Sequence, residues 1–179
     1  MILTSKELWG LIHGMVLGGL FLLTFAGGLA GLYSLRPEWV TVTGMQERLR
    51  RLDIGTIAMA VVAWLTCITG TFIVYTWYRA APPDGTTGDA LRAFPRYFLL
   101  ANEGLKEWHA FGMEWKEHVA WFAPLLATSV AYIVWRYRGQ LAGNTALRNI
   151  VIGVFLLAFV AAAVAGLMGA LITKAAPIL

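Results

Sequence analysis

The chain has 179 residues, of which 59% are hydrophobic and only 13% are charged. An ordinary soluble domain has about a quarter of its residues charged, so this composition excludes a water-soluble globule. The formal net charge is +4, but the basic residues are dispersed among the predicted loops, which argues against nucleic acid as a partner. Cys67 is the single cysteine, which excludes an intramolecular disulfide, a thiolate zinc site and a CxxCH motif for covalent cofactor attachment.

Four long stretches contain no Asp, Glu, Lys or Arg. They cover residues 8–35, 54–78, 119–135 and 149–173, with lengths of 28, 25, 17 and 25 residues. A hydrocarbon core of about 30 Å takes about 20 helical residues, so three runs suffice alone and the third suffices once its N-terminal neighbours extend it. The sequence therefore predicts an all-α integral membrane protein with a single four-span membrane domain over residues 1–179. The predicted spans lie at about 7–35, 54–78, 115–136 and 147–173.

Cap and turn residues set the predicted ends of the first two spans. Thr4 and Glu7 have the spacing of a capping box, which predicts the start of the first helix. Pro37 predicts its end, because the residue before a proline is displaced from helical geometry. Asp53 is a reasonable N-cap for the second span, since its carboxylate can accept from the first free N–H groups.

The connector between the second and third spans is predicted to be an amphipathic interfacial helical segment over residues 90–114, and after Asn102 the chain is predicted to continue as one helix into the third span. Its aromatic residues alternate with Arg92, Arg96, Lys106 and the adjacent Lys116. This mixture is typical of helices that lie in the headgroup region, with rings buried and charges in water. The four-span topology places seven basic residues on each side of the membrane. Those on the side opposite the termini lie in shorter loops, where the positive-inside bias acts most strongly, so the termini are predicted to face away from the cytoplasm.

The histidines are few and fall on one predicted side of the membrane. His13 lies inside the first span and His118 begins the third, and these two helices run in the same direction. Trp9 precedes His13 by four residues, and Trp115 precedes His118 by three. If these indoles lie at the headgroup level, both imidazoles lie about one turn, or about 5 Å, deeper. Two parallel helices are therefore predicted to present histidines at matched depth.

This arrangement suits one haem b, which takes a neutral imidazole from each of two helices on opposite faces of a flat macrocycle. The predicted axial ligands of the haem iron are His13 and His118. Glycines beside His13 would let a porphyrin or a neighbouring helix approach closely. These glycines are Gly10, Gly14 and Gly18.

His109 has a different predicted role. It lies nine residues before His118, which places the two on opposite faces of a regular helix at about 100° per residue. We therefore predict that His109 is an alternative ligand, or a neighbour of a haem propionate or a quinone. Arg96 belongs to the basic residues that we expect beside the propionates, because charge-assisted hydrogen bonds form between guanidinium and carboxylate groups.

Other interpretations of the same residues stay open. His13 and His118 could form helix-to-helix hydrogen bonds, and His109 could be an amphipathic side chain with its tip in water. Glu114, Glu117 and His118 share one helical face and could hold a non-haem metal, but no second helix offers a matching acidic residue. A proton-coupled transporter is disfavoured because we expect no charged residue near mid-membrane.

The chain has four predicted spans, His13 and His118 at one membrane face, and an amphipathic interfacial segment. This architecture resembles that of the small membrane cytochrome b subunits of bacterial electron-transfer complexes. The resemblance implies a subunit of a respiratory or photosynthetic complex, without independent catalytic activity, in the bacterial inner (cytoplasmic) membrane. In that membrane the orientation predicted from the loop charges places the termini in the periplasm. Di-haem members need more ligand histidines than the three present here, so one haem b is expected.

Such a subunit passes electrons between quinone and redox partners outside the membrane. The resemblance implies other subunits of the complex as partners, among them a periplasmic cytochrome c or an iron–sulfur subunit. A cofactor-free subunit that anchors such a complex in the lipid bilayer is the alternative.

Overall fold

The computed structural model describes residues 3–36 and 41–177. Over these residues the chain is helical and forms no strand. Four of the helices are long and apolar enough to cross a bilayer, and we call them spans 1 to 4. They are Ser5–Tyr33, Val42–Tyr78, Trp108–Leu141 and Thr145–Ala175. The prediction of an all-α chain with four helices of this length and hydropathy is confirmed.

The start of span 1 agrees with the sequence. The Thr4 hydroxyl accepts from the Glu7 backbone N–H at 3.2 Å, and the Glu7 carboxylate accepts from the Thr4 N–H at 2.8 Å. This reciprocal pair satisfies two N–H groups that have no partner inside the helix. Span 1 ends at Tyr33, and the predicted boundary at Pro37 lies outside the described residues.

The start of span 2 differs from the prediction by more than three turns. The helix begins at Val42, and the Thr41 hydroxyl accepts from the Gly44 N–H at 3.2 Å. Asp53 is therefore not an N-cap but an internal helix residue. Its carboxylate accepts from Arg138 Nη1 at 2.7 Å, so the aspartate that interrupts the apolar pattern is used by an ion pair within the fold.

The connector between spans 2 and 3 contains two short helices. They are a 3₁₀ helix at Gly88–Ala93 and an α-helix at Pro95–Ala101. Pro95 separates them because it lacks an N–H and displaces the preceding Phe94 from helical geometry, at φ −125° and ψ 81°. Span 3 then begins at Trp108, earlier than predicted.

The described chain divides into two compact units. Unit 1 comprises Met1–Gly18, Thr66–Trp121 and Ala163–Leu179. Unit 2 comprises Gly19–Leu65 and Phe122–Ala162. Unit 1 has a small buried cluster around Tyr78, Leu99, Met113, Ile172 and Ala176, and it contains all three histidines.

The core of unit 2 is built on aromatic rings. Phe155 is fully buried, and its ring centroid lies 5.1 Å from that of Phe25. Phe25 also stacks on Phe159 at 4.1 Å. These distances are those of stabilising aromatic pairs. The ring of Phe155 lies directly on the backbone of Gly28, where an added Cβ would be 2.7 Å from Cζ.

Gly28→Ala is expected to destabilise the protein by about 1 to 3 kcal/mol, because the new methyl group overlaps a buried ring that has no room to move. Gly27→Ala is the matched control, since open space surrounds the Cβ position of Gly27 and alanine favours a helix by about 0.5 to 1 kcal/mol. Thermal unfolding in detergent should therefore move in opposite directions for these neighbours. Equal shifts would contradict the packing described here.

Arg148, near the start of span 4, bonds to backbone carbonyls at the ends of spans 1 and 3 in unit 2. Its side chain is buried, and Nη1 lies 2.8 Å from the carbonyl oxygen of Leu35, beyond the end of span 1. The same nitrogen lies 3.1 Å from the carbonyl oxygens of Leu141 and Ala142, at the end of span 3. A cation beside the last carbonyls of a helix satisfies their hydrogen-bonding capacity and is favoured by the helix dipole.

Candidate functional site

The histidines share an unusual backbone setting. Among the described residues, π-helical turns occur at Ile12–Leu17, Gly70–Val74, Trp108–Met113 and Trp115–Val119. Their N–H groups bond to carbonyls five residues back, as from Ala120 to Trp115 at 3.2 Å. His13, His109 and His118 each lie within one of these turns. Because π turns are rare and concentrate at functional sites, this setting marks unit 1 as the candidate site.

His13 is half-buried and bonds to span 2. Its Nδ1 lies 3.1 Å from Thr69 Oγ1, and that hydroxyl donates to the carbonyl of Thr66 at 3.2 Å. The Thr69 hydroxyl donates its one proton to the Thr66 carbonyl, so Oγ1 acts as an acceptor toward His13. In this arrangement Nδ1 is the donor toward Thr69, and a neutral imidazole that donates from Nδ1 can bind a metal through Nε2.

Gly70 provides the surface on which the His13 ring lies. A Cβ at this position would be 2.7 Å from Cε1 and 3.3 Å from Nε2 of His13. Any residue larger than glycine would push the ring away from Thr69. The sequence analysis did not select Gly70, although a signal is present. Thr66, Thr69 and Gly70 are spaced three and four residues apart on one face of an otherwise apolar helix.

His118 is held by its own helix. Its Nδ1 donates to the backbone carbonyl of Glu114 at 3.0 Å and lies 3.4 Å from the Glu114 carboxylate. A carbonyl oxygen can only accept, so Nδ1 of this ring is a donor, and Nε2 is the ring nitrogen that this bond does not use. The side chain is 71% exposed. The described structure places no ring contact between His118 and His13, which bond to different partners.

His109 pairs with a tyrosine of span 2. Its Nδ1 lies 2.8 Å from the hydroxyl of Tyr78, with ring centroids 5.9 Å apart. Tyr78 stacks in turn on Tyr75 at 6.1 Å. The segment from 108 to 119 contains two π turns, so the regular-helix spacing that put His109 and His118 on opposite faces does not hold there.

Arg96 lies near this pair. Its positive charge acts on both Tyr78 and His109, and its guanidinium carbon is 5.9 Å from the ring centroid of Tyr97. Arg96 Nε is buried and has no hydrogen-bond partner in the described part of the chain. A buried donor without a partner is energetically costly, and the hydrogen bond it lacks is one that an acceptor such as a carboxylate could supply.

Lys116 was expected at the membrane interface beside Arg96, but its side chain extends to span 4. Nζ donates to the carbonyl of Ala165 at 3.2 Å and lies 2.7 Å from the position that a Cβ of Gly169 would occupy. The small residues of span 4 therefore make room for this ammonium group. From sequence alone these residues indicate no site, because small residues at fourfold spacing are common at plain helix contacts.

The non-haem metal alternative is not supported by the geometry. No three His, Cys, Asp or Glu side chains in residues 3–36 and 41–177 are grouped as metal ligands. Glu114, Glu117 and His118 therefore do not converge on one point, and the regular helical spacing behind that alternative is altered by the π turn at Trp115–Val119.

Comparison with known proteins finds no matching family model, curated protein or solved structure.

Proposed function

We propose that the chain is a membrane subunit of a respiratory or photosynthetic electron-transfer complex and binds one haem b, with His13 and His118 as axial ligands. One observation carries the proposal. In both histidines Nδ1 lies within hydrogen-bond distance of an oxygen atom, at 3.1 Å from Thr69 Oγ1 for His13 and 3.0 Å from the Glu114 carbonyl for His118. Both rings thus offer Nε2 as the metal-binding nitrogen. Metal-ligating histidines almost always have such a partner at the other nitrogen, because it fixes the tautomer and the ring orientation.

The surrounding residues fit this group in distinct ways. Thr69 orients the His13 ring, and Gly70 leaves the space in which the ring lies. Arg96 would meet a propionate carboxylate with its buried Nε donor. A bound haem b supplies reversible one-electron chemistry, which the side chains of this chain do not provide by themselves.

The proposal includes the remaining partners and the location. The subunit would pass electrons between quinone and a periplasmic cytochrome c or iron–sulfur subunit, without catalytic activity of its own. It would lie in the bacterial inner membrane with both termini in the periplasm. The four helices of membrane-spanning length and hydropathy support the membrane part of this proposal.

A cofactor-free anchor subunit is the second candidate. It is favoured by the His118 side chain, which satisfies Nδ1 within its own helix and is 71% exposed, so it needs no ligand to complete its bonding. An exposed histidine ten residues after the start of span 3 is then an amphipathic group whose tip is in water.

A reduced-minus-oxidised visible spectrum of the purified full chain separates the two candidates. We expect a b-type difference spectrum that disappears in His13→Ala and in His118→Ala, because each variant removes one axial ligand. His109→Ala is the matched control and should retain haem, because His13 and His118 are the pair predicted to lie at matched depth and are the ligands assigned to the iron. Haem retained in both ligand variants would refute the assignment, and wild-type protein that takes up no haem would favour the anchor subunit.

A further inference from the structure

A groove in unit 2 combines cationic and small apolar residues. It has a volume of about 350 Å³ and lies between spans 1 and 2. It is lined by Gly27, Ala30, Gly31, Ser34, Arg48, Arg51 and Leu52. None of these residues belongs to the histidine site of unit 1, so the groove is independent of the proposed haem.

The polarity of the groove changes along its length. Arg48 and Arg51 precede the charge-free run that begins at Ile54, so they lie at the polar end of span 2. Gly27 and Gly31 lie inside the charge-free part of span 1. Gly27 and Ser34 are seven residues apart, which corresponds to about 10 Å along a helix. A ligand in this groove therefore meets guanidinium groups at one end and, toward the other, the small residues of span 1 beside the side chain of Leu52.

The guanidinium groups retain donors for a ligand. Arg48 Nη1 donates to the carbonyl of Ser34 at 2.7 Å, and Arg51 Nε donates to the Glu47 carboxylate at 2.7 Å. Each contact uses one of the five N–H donors that a guanidinium carries. Arg51 is 77% exposed, so a ligand can reach it from outside. Two guanidinium groups line the groove, and the Glu47 carboxylate that pairs with Arg51 offsets one of these two positive charges.

We propose that this groove binds one anionic phospholipid. Its phosphate would accept from Arg48 and Arg51, and the start of an acyl chain would lie on Gly27, Ala30 and Gly31. A phosphodiester carries one negative charge, which matches the excess charge of the groove. Basic pockets between membrane helices are known to bind anionic headgroups in this way, and exposed glycines let a methylene chain approach the helix backbone closely.

Native mass spectrometry of the full chain in mild detergent tests this proposal, with phosphatidylglycerol and phosphatidylcholine titrated separately. We expect one phosphatidylglycerol molecule to bind in preference to phosphatidylcholine. Arg51→Gln and Arg48→Gln should each weaken that binding about tenfold, the size of a lost charge-assisted hydrogen bond. Arg50→Gln removes the same charge from the same segment but does not line the groove, and it should change binding less than about twofold.

A second pair of variants tests the apolar end without changing charge. Gly27→Leu should fill the groove and reduce lipid binding, and the open space beside Gly27 means that the fold tolerates the larger side chain. Gly19→Leu is the control, because Gly19 also has open space around it but lies outside the groove. If Arg48→Gln fails to fold after losing its bond to Ser34, Arg51→Gln and Gly27→Leu decide the outcome.

Three results would overturn the proposal. Equal binding of the two lipids would show a nonspecific lipid shell. An equal loss in Arg50→Gln and Arg51→Gln would show a diffuse charge effect. Inorganic phosphate that displaces phosphatidylglycerol at equal concentration would show a site for a free oxyanion and no contribution from the acyl chain.

Discussion

Arg148→Met is expected to lower the free energy of unfolding by about 3 kcal/mol, the largest effect that we expect of any single substitution outside the histidine site. The arginine satisfies carbonyl oxygens of Leu35, Leu141 and Ala142. Methionine retains much of the apolar volume but donates no hydrogen bond, so these oxygens lose a buried partner. In a chain of this size the loss corresponds to a fall in the melting temperature of about 6 to 12 °C.

Arg136→Met is the control for this prediction. Arg136 is exposed and its guanidinium lies over the ring of Tyr137, so we expect a change within about 0.5 kcal/mol. Arg148→Lys should recover part of the stability, because an ammonium group can still donate to some of the carbonyls. Circular dichroism of the detergent-solubilised variants during heating measures all three. A fall of similar size in Arg136→Met would contradict the role given to Arg148.

Gly70→Ala is expected to weaken haem binding about 10- to 100-fold, the range found when a residue that supports a metal ligand is replaced. The methyl group would lie 2.7 Å from Cε1 of His13 and would push the ring away from Thr69. This variant leaves both proposed ligands in the chain, so it tests whether the position of the His13 ring matters. This prediction depends on the proposed haem site.

Gly55→Ala is the matched control for Gly70→Ala, because it makes the same change in the same span with nothing within 4 Å of the new methyl group. Haem content per protein, measured from the visible spectrum, should be unchanged in the control. Helix content should be unchanged in both variants, which separates loss of the site from loss of the fold. Equal haem content in Gly55→Ala and Gly70→Ala would show that the ring position seen here is not the one that binds iron.

The sequence predicted the four long helices because charge-free runs of that length have few other uses. The start of span 2 was predicted wrongly because the residues near Asp53 are equally compatible with a helix N-cap and with the interior of a helix. Leu52 is 2% exposed and Asp53 pairs with Arg138, a residue 85 positions away. A contact between residues so far apart in sequence does not alter the local hydrophobic periodicity, so only the three-dimensional structure shows that the helix continues through Asp53.

The candidate site was predictable in its residue types but not in its contacts. A histidine inside an apolar run indicates function from sequence alone, as His13 does. The partners Thr69 and Gly70 depend on how two helices pack. The roles of Tyr78 and Lys116 depend on π turns, which rotate the side chains that follow them about the helix axis. Helical-wheel reasoning assumes 3.6 residues per turn, so it fails wherever such a turn intervenes.

The π turns also affect how the length of this chain can vary. Each π turn holds one residue more than the α-helical turn it replaces, so deleting one residue there leaves a regular helix of nearly the same length. A span shortened by one residue in Ile12–Leu17 would still cross a bilayer, but His13 would rotate away from Thr69. Related chains that have lost the site should therefore differ by single-residue gaps inside their apolar helices, while chains that retain it should keep the extra residue beside each histidine.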